Sequence, residues 1–229
     1  MRILRGIGFV CTTILIYLGL PLLGWGLEDL RGFLSLAPRA AYALLVAVLA
    51  LAVGTVGMDS PQSIRGSKGQ RGKTIARQSI VRLVLVLALF GALPFLPFAD
   101  RRGMGVLPEN PAVRWAGVIL FALSSALILA SSVALGRLYS PEVTIQSNHQ
   151  LITSGPYHYV RHPRYLGAVL LTLGLPLAFR SWLGLVLAPV VVLIIMLRIR
   201  DEEALMDKEF GQEWEAYRRQ TWRLIPWVY

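Results

Sequence analysis

Four uninterrupted apolar blocks, near 6–27, 36–57, 80–99 and 113–135, constrain this chain more than any other feature. Each is long enough, at about 1.5 Å per helical residue, to cross a hydrocarbon core of ~30 Å. The apolar residues fill the blocks rather than recurring at amphipathic spacing, so the pattern is that of a polytopic membrane protein and not of surface helices. Most of the 229 residues are therefore committed to spans. No separate soluble catalytic domain fits in what is left, and any active site must be built on helix ends.

A fifth apolar stretch, 166–197, runs for 32 residues, too long for one ordinary span. Pro176 and the polar step Arg180-Ser181-Trp182 divide it into two arms, each shorter than the ~20 residues that cross squarely, which predicts a thin or partly inserted helical hairpin. The expected fold is all-α: four transmembrane helices, a C-terminal helical hairpin making five to six membrane helices, and a cytoplasmic helical cap. Residues 1–135 form the N-terminal membrane helices and 136–229 the connection, hairpin and C-terminal helix.

The formal net charge of +10 would suggest nucleic acid in a soluble protein. Here the basic residues flank apolar blocks, and positive-inside bias accounts for them without any nucleic acid. With six crossings, 17 lysines and arginines fall on one side and 6 on the other, so both termini and the polar C-terminal blocks should be cytoplasmic. Arg2 and Arg5 before an apolar run imitate a signal peptide, but the run is long for one and lacks a small-x-small cleavage site, so it reads as the first transmembrane helix. Cys11, the single cysteine, lies inside that helix, where packing is its expected role. The basic loop 59–79, with Gly66, Gly69 and Gly72, reads as a topology determinant touching anionic headgroups, or as a substrate gate. Pro141, Val143, Ile145 and Asn148-His149-Gln150 predict a short extended piece with a turn over the cytoplasmic helix ends.

Chemistry concentrates in Ser154-Gly155-Pro156-Tyr157-His158-Tyr159-Val160-Arg161-His162-Pro163-Arg164-Tyr165-Leu166-Gly167. Gly155-Pro156 signals a turn, while Pro163 biases His162 away from the α region and suits the first position of a helix. That helix start, flanked by Arg161 and Arg164, would hold an anionic group of a ligand. Further on, Ile199, Met206, Phe210, Trp214 and Tyr217 recur at helical spacing, and Glu203 falls on the same face. A carboxylate there needs a partner: Arg161, His162 or a ligand. Glu202 points elsewhere and is placed to pair with Arg198 on the surface, and Gly211 is a candidate end of the helix. Tyr157 and Tyr165 read equally well as interfacial aromatics, as do Trp182, Trp222, Trp227 and Tyr229, and Arg180 as an interfacial residue at the far end of the hairpin. The three histidines have no metal-ligand spacing, so no metal is expected, and no glycine-rich phosphate loop is present.

The run Gly155-Pro156-Tyr157-x-x-Val160-Arg161-His162-Pro163-x-Tyr165-x-Gly167, followed by Asp201-Glu202-Glu203-x-Leu205-x-x-x-x-Phe210-Gly211-x-x-Trp214-x-x-Tyr217 and Ile225-Pro226, resembles the isoprenylcysteine carboxyl methyltransferase family. The resemblance covers roughly 138–229 and implies an integral-membrane enzyme using S-adenosylmethionine. It implies a cofactor pocket of Tyr157, Arg161, His162, Tyr165 and Glu203, with Gln150, Leu151 and Ile152 beside the adenosyl group and His149 nearby, which makes 136–229 the cofactor-binding region. It also implies a catalytic patch of Arg200, Glu202 and Glu203, with Arg198 as the alternative arginine. Membrane lipids and a lipophilic or small-molecule acceptor are the expected partners. A carboxylate acceptor is implied first; a lipid amine or thiol, a nicotinamide-dependent membrane reductase and a non-catalytic membrane protein are the competing readings.

Overall fold

The computed structural model describes residues 1–59, 76–136 and 151–228, the side chains of 76–79 excepted, and every long element in them is helical. In chain order these are α1 (Arg2–Trp25), α2 (Leu30–Leu34), α3 (Ala37–Asp59), α4 (Ala76–Arg102), α5 (Pro111–Leu135), α6 (Pro163–Ala178), α7 (Trp182–Phe210) and α8 (Gln212–Gln220). Five of them, α1, α3, the Ile80–Arg102 part of α4, α5 and α7, are long and apolar enough to cross a membrane; α6 is a shorter apolar helix. The basic loop and the extended piece expected around 139–151 lie largely outside the described residues.

The helix limits follow from local chemistry. Pro111 and Pro163 occupy first-turn positions, where the missing N–H costs nothing. The Asn110 side chain accepts from Ala112 N–H at 2.9 Å and the Ser181 hydroxyl from Gly184 N–H at 3.1 Å, capping α5 and α7. Gly211, at φ +49°, stops α7 in the left-handed region. The hairpin divides between Ala178 and Trp182, but its second arm is not short. The apolar run continues without a break into the acidic tail, giving one helix of 29 residues.

Helix α5 packs most intimately on α6. A Cβ at Gly117 would lie 2.2 Å from the backbone nitrogen of Ala178, and the Ser124 hydroxyl donates to the Gly167 carbonyl at 2.7 Å. Only glycine lets the two backbones approach so closely. Beside this pair, Trp25, Phe33, Tyr42, Phe121 and Phe179 form a buried aromatic core joining α1, α2, α3, α5 and the α6–α7 turn. A π-helical turn at Leu15–Gly19 interrupts α1, and the Tyr42 hydroxyl donates to the Tyr17 carbonyl within it. Cys11 is exposed on the outer surface of α1 and not packed.

A second buried group was not foreseen. Asp100, fully buried at the end of α4, accepts from Arg114 at 2.8 and 2.9 Å and from Arg180 at 2.9 Å, with Arg39 at 3.5 Å. Glu109 takes further hydrogen bonds from Arg114 at 2.7 and 2.9 Å and an ion pair from Arg180 at 3.1 Å. Arg39 also donates to the Phe33 and Gly32 carbonyls and stacks 4.1 Å from the centre of the Trp25 ring. Arg180, read from sequence as an interfacial residue, is instead folded inward at φ +53° by these contacts. A left-handed non-glycine residue costs roughly 1–3 kcal/mol, so the surrounding ion pairs must hold it.

Candidate active site

Gly155, at φ +61°, opens a 3₁₀ turn over Gly155–His158, and the chain then turns at Tyr159 and bridges from Val160 to Trp222 before α6 begins at Pro163. The C-terminal segment straps this connection in place. Arg161 N–H donates to the Trp222 carbonyl at 2.8 Å, His162 N–H to that of Arg223 at 3.2 Å, and Trp222 N–H to that of Tyr159 at 3.0 Å. Leu224 packs with Val169, Ile195 and Ile199, fixing the strap to α6 and α7. Tyr217 of α8 donates its hydroxyl to the Tyr157 carbonyl at 2.7 Å; burial pushes that hydroxyl up to about 12, so it remains a donor at any ordinary pH.

Glu203 is the hub beneath the connection. Its Oε1 lies 3.2 Å from both Arg161 Nε and His162 Nε2, and its Oε2 pairs with Arg223. Arg161 also donates to the Arg218 and Thr221 carbonyls. One carboxylate thus joins the motif connection, α7 and the strap. The side chain is 13% exposed, so removing it would leave the two guanidinium groups and the imidazole without their shared carboxylate.

One turn toward the membrane a second relay faces open space. Arg198 Nε donates to the Tyr165 hydroxyl at 2.7 Å, and that hydroxyl donates to Glu202 Oε2 at 2.8 Å. Glu202, read from sequence as a surface residue beside Arg198, is part of the wall of a cavity of about 700 Å³ that Arg198 lines as well. The cavity lies between α4, α6 and α7 and runs along α4 from Arg82 to Leu96, which at 1.5 Å per residue is ~21 Å. Among the described residues, its mouth carries the guanidinium groups of Arg82, Arg161, Arg164 and Arg198 and the carboxylate of Glu202, while its depth is apolar.

Of the residues singled out in the sequence, Tyr157, Arg161, His162, Tyr165 and Glu202 line this cavity, and Glu203 lies directly behind Arg161 and His162. Tyr157 is buried and Tyr165 half-buried, both against the cavity. Arg200 is exposed and absent from the cavity wall, whereas Arg198, two residues earlier, is buried and lines it. Leu151 and Ile152 are half-buried ahead of the turn, outside the lining, and His149 and Gln150 lie outside the described residues. Arg223, which pairs with Glu203, was missed. The indole N–H of Trp214 is buried without an acceptor among the described residues. Among those residues no group of three or more His, Cys, Asp or Glu is placed to hold a metal.

Residues 112–213 match the family model described as phospholipid methyltransferase. Protein-S-isoprenylcysteine O-methyltransferase of Schizosaccharomyces pombe is 32% identical over 109 residues, 46% of this chain and 46% of that protein. A delta(14)-sterol reductase of Mus musculus is 33% identical over 87 residues, 36% of this chain and 21% of that one. The chain thus spans about half the length of the yeast protein in the matched region, or less for the reductase. A solved structure of the eukaryotic intramembrane Ras methyltransferase, isoprenylcysteine carboxyl methyltransferase, superposes with a TM-score of 0.49 at 15% identity, covering 96% of this chain and 97% of the other.

Proposed function

We propose that this chain, whose C-terminal half resembles protein-S-isoprenylcysteine O-methyltransferase, transfers a methyl group from S-adenosylmethionine to the carboxylate of a lipophilic acceptor at the cytoplasmic membrane face. One observation carries the reading: an apolar cavity deep in the helices ends in a cationic mouth beside a strapped polar connection. An acceptor with an apolar chain and an anionic head matches that gradient. The cytoplasmic side follows from the lysine and arginine bias.

The residues present fit the cofactor. Arg161, with His162 and Glu203 behind it, Tyr157 and Tyr165 offer donors and aromatic surface around one place. S-Adenosylmethionine supplies, when bound, a methyl group already activated by its sulfonium charge. The chain is left with alignment, exclusion of water and charge balance. A carboxylate acceptor is ionised at neutral pH, so no general base is required of Glu202 or Glu203. Arg198 orients the acceptor oxygen through its guanidinium fork, and Tyr165 and Glu202 keep that fork from turning. Glu203 keeps Arg161 and His162 in register with α7.

The test is calorimetric titration of the detergent-purified protein with S-adenosylhomocysteine, alongside Glu203→Ala and His162→Ala, followed by radiolabelled methyl transfer to N-acetyl-S-farnesylcysteine. Micromolar binding weakened at least about tenfold by both changes, with label in a base-labile ester, is the expected result. Absence of binding to folded protein ends the reading. The similarity to a sterol reductase favours a nicotinamide cofactor as the second reading, and saturable NADPH binding in the same titration would establish it instead.

A further inference from the structure

Small residues interrupt the otherwise bulky apolar wall of the cavity at mid-depth. Along α4 the wall alternates between the larger Leu85, Val86, Leu89 and Phe95 and the small Ala88, Gly91 and Ala92, whereas Leu83, Leu87 and Phe90 of the same helix are exposed and off the cavity wall. A Cβ added at Gly91 would meet nothing within 4 Å. Across the gap stand Ala168 and Thr172 of α6, and the Thr172 hydroxyl is turned back onto the Ala168 carbonyl at 2.8 Å. The opposite wall is thus small and apolar as well. Beyond these residues the space ends against Leu96, Leu175, Pro176 and Gly184, where a Cβ on Gly184 would already sit 2.7 Å from the Pro176 ring.

We infer that Ala88, Gly91 and Ala92 gauge the length of the acceptor's apolar chain, admitting it past mid-depth to the floor at Pro176 and Gly184. The inference rests on the methyl-transfer reading for its substrate and goes beyond it by naming what sets chain length. Counting from Arg82 at the mouth, Ala88 stands ~9 Å and Ala92 ~15 Å down the cavity. A large side chain at either level closes the lower part and leaves the mouth, with Arg198, Tyr165 and Glu202, untouched. A chain too short to reach the obstruction is unaffected, and a longer one must fold back or stay out. Burial scales with apolar area, so the loss should grow with each unit that no longer fits.

The experiment compares wild type, Ala88→Phe and Gly91→Leu with Leu87→Phe, whose new ring faces away from the cavity. Protein in lipid nanodiscs is given N-acetyl-S-geranyl-, S-farnesyl- and S-geranylgeranyl-cysteine, and both methyl transfer and calorimetric binding are read. Ala88→Phe should lower kcat/KM for the geranylgeranyl thioether at least about tenfold, through KM, and leave the geranyl one within about twofold. Gly91→Leu should do the same at a longer chain, and Leu87→Phe should change nothing. An equal fall for all three thioethers, or the same selectivity from Leu87→Phe, overturns the gauge. Wild type that binds the series with length-dependent loss in Ala88→Phe but methylates none sinks the methyl-transfer reading alone. Wild type that binds none sinks the gauge. If Ala88→Phe does not fold, Gly91→Leu, entering open space, decides.

Discussion

Two clusters of buried charge sit at opposite ends of this helix bundle, and they are built on different terms. At one end Asp100 and Glu109 neutralise Arg114 and Arg180 with Arg39 alongside, every contact made within the protein and aromatic core packed beneath. At the other end the Arg198–Tyr165–Glu202 relay and the Arg161, His162 and Arg164 side chains look into a cavity. Removing two charges from water is costly, and a closed cluster recovers that cost internally. A cluster that keeps a face open leaves its field for a ligand. Buried arginine by itself therefore says nothing about function in this protein; the neighbouring space does.

The comparison breaks most sharply at Asp100. Asp100→Asn removes the charge shared by three arginines and should cost about 3–5 kcal/mol, seen as a fall in melting temperature in detergent. The affinity for S-adenosylhomocysteine of the protein that remains folded should be unchanged. If that affinity collapses too, the two ends are not independent. Next in size, Arg198→Lys keeps the charge but loses the planar fork that meets Tyr165. Methyl transfer should fall ~100-fold, about 2.7 kcal/mol, with little change in melting temperature or cofactor binding. A loss of stability without a loss of turnover would move Arg198 into the closed class.

The smallest effect concerns pH. Hydrogen bonds from Arg114, helped by Arg180 and Arg39, hold the Glu109 carboxyl below the usual carboxylate range. A carboxyl lowered by folding contributes stability above its unfolded range, and that contribution is lost as pH falls through the folded value. Melting temperature should therefore decline on acidification, and less steeply in Glu109→Gln. Equal slopes would show that the half-exposed Glu109 adds nothing to the closed cluster.

How much of this was legible in sequence differs between the same two ends. The spans, the break at Pro176 to Trp182, the helix start at Pro163, the stop at Gly211 and a partner for Glu203 in Arg161 or His162 could all be read, because each is written in local spacing or in a motif. The closed cluster could not. Asp100 and Arg180 are separated by 80 residues, and a charge at a helix end looks the same whether headgroups or another helix will receive it. The choice of Arg198 over Arg200 turns on a helix rotation that only packing against α6 fixes. Arg223 reaches Glu203 from an irregular segment with no periodicity to announce it.

The unbroken course of α7 has a further meaning for how such a sequence can vary. Its apolar part begins at the Ser181 cap, beside the closed cluster, and delivers Arg198, Glu202 and Glu203 to the open one without a hinge. Inserting or deleting one residue between them would turn the three side chains by about 100° and shift them ~1.5 Å along the axis, taking Arg198 off Tyr165. Exchanging one apolar residue for another on the lipid side would do neither. Along this helix the count of residues is the inherited quantity, and their identity is largely free.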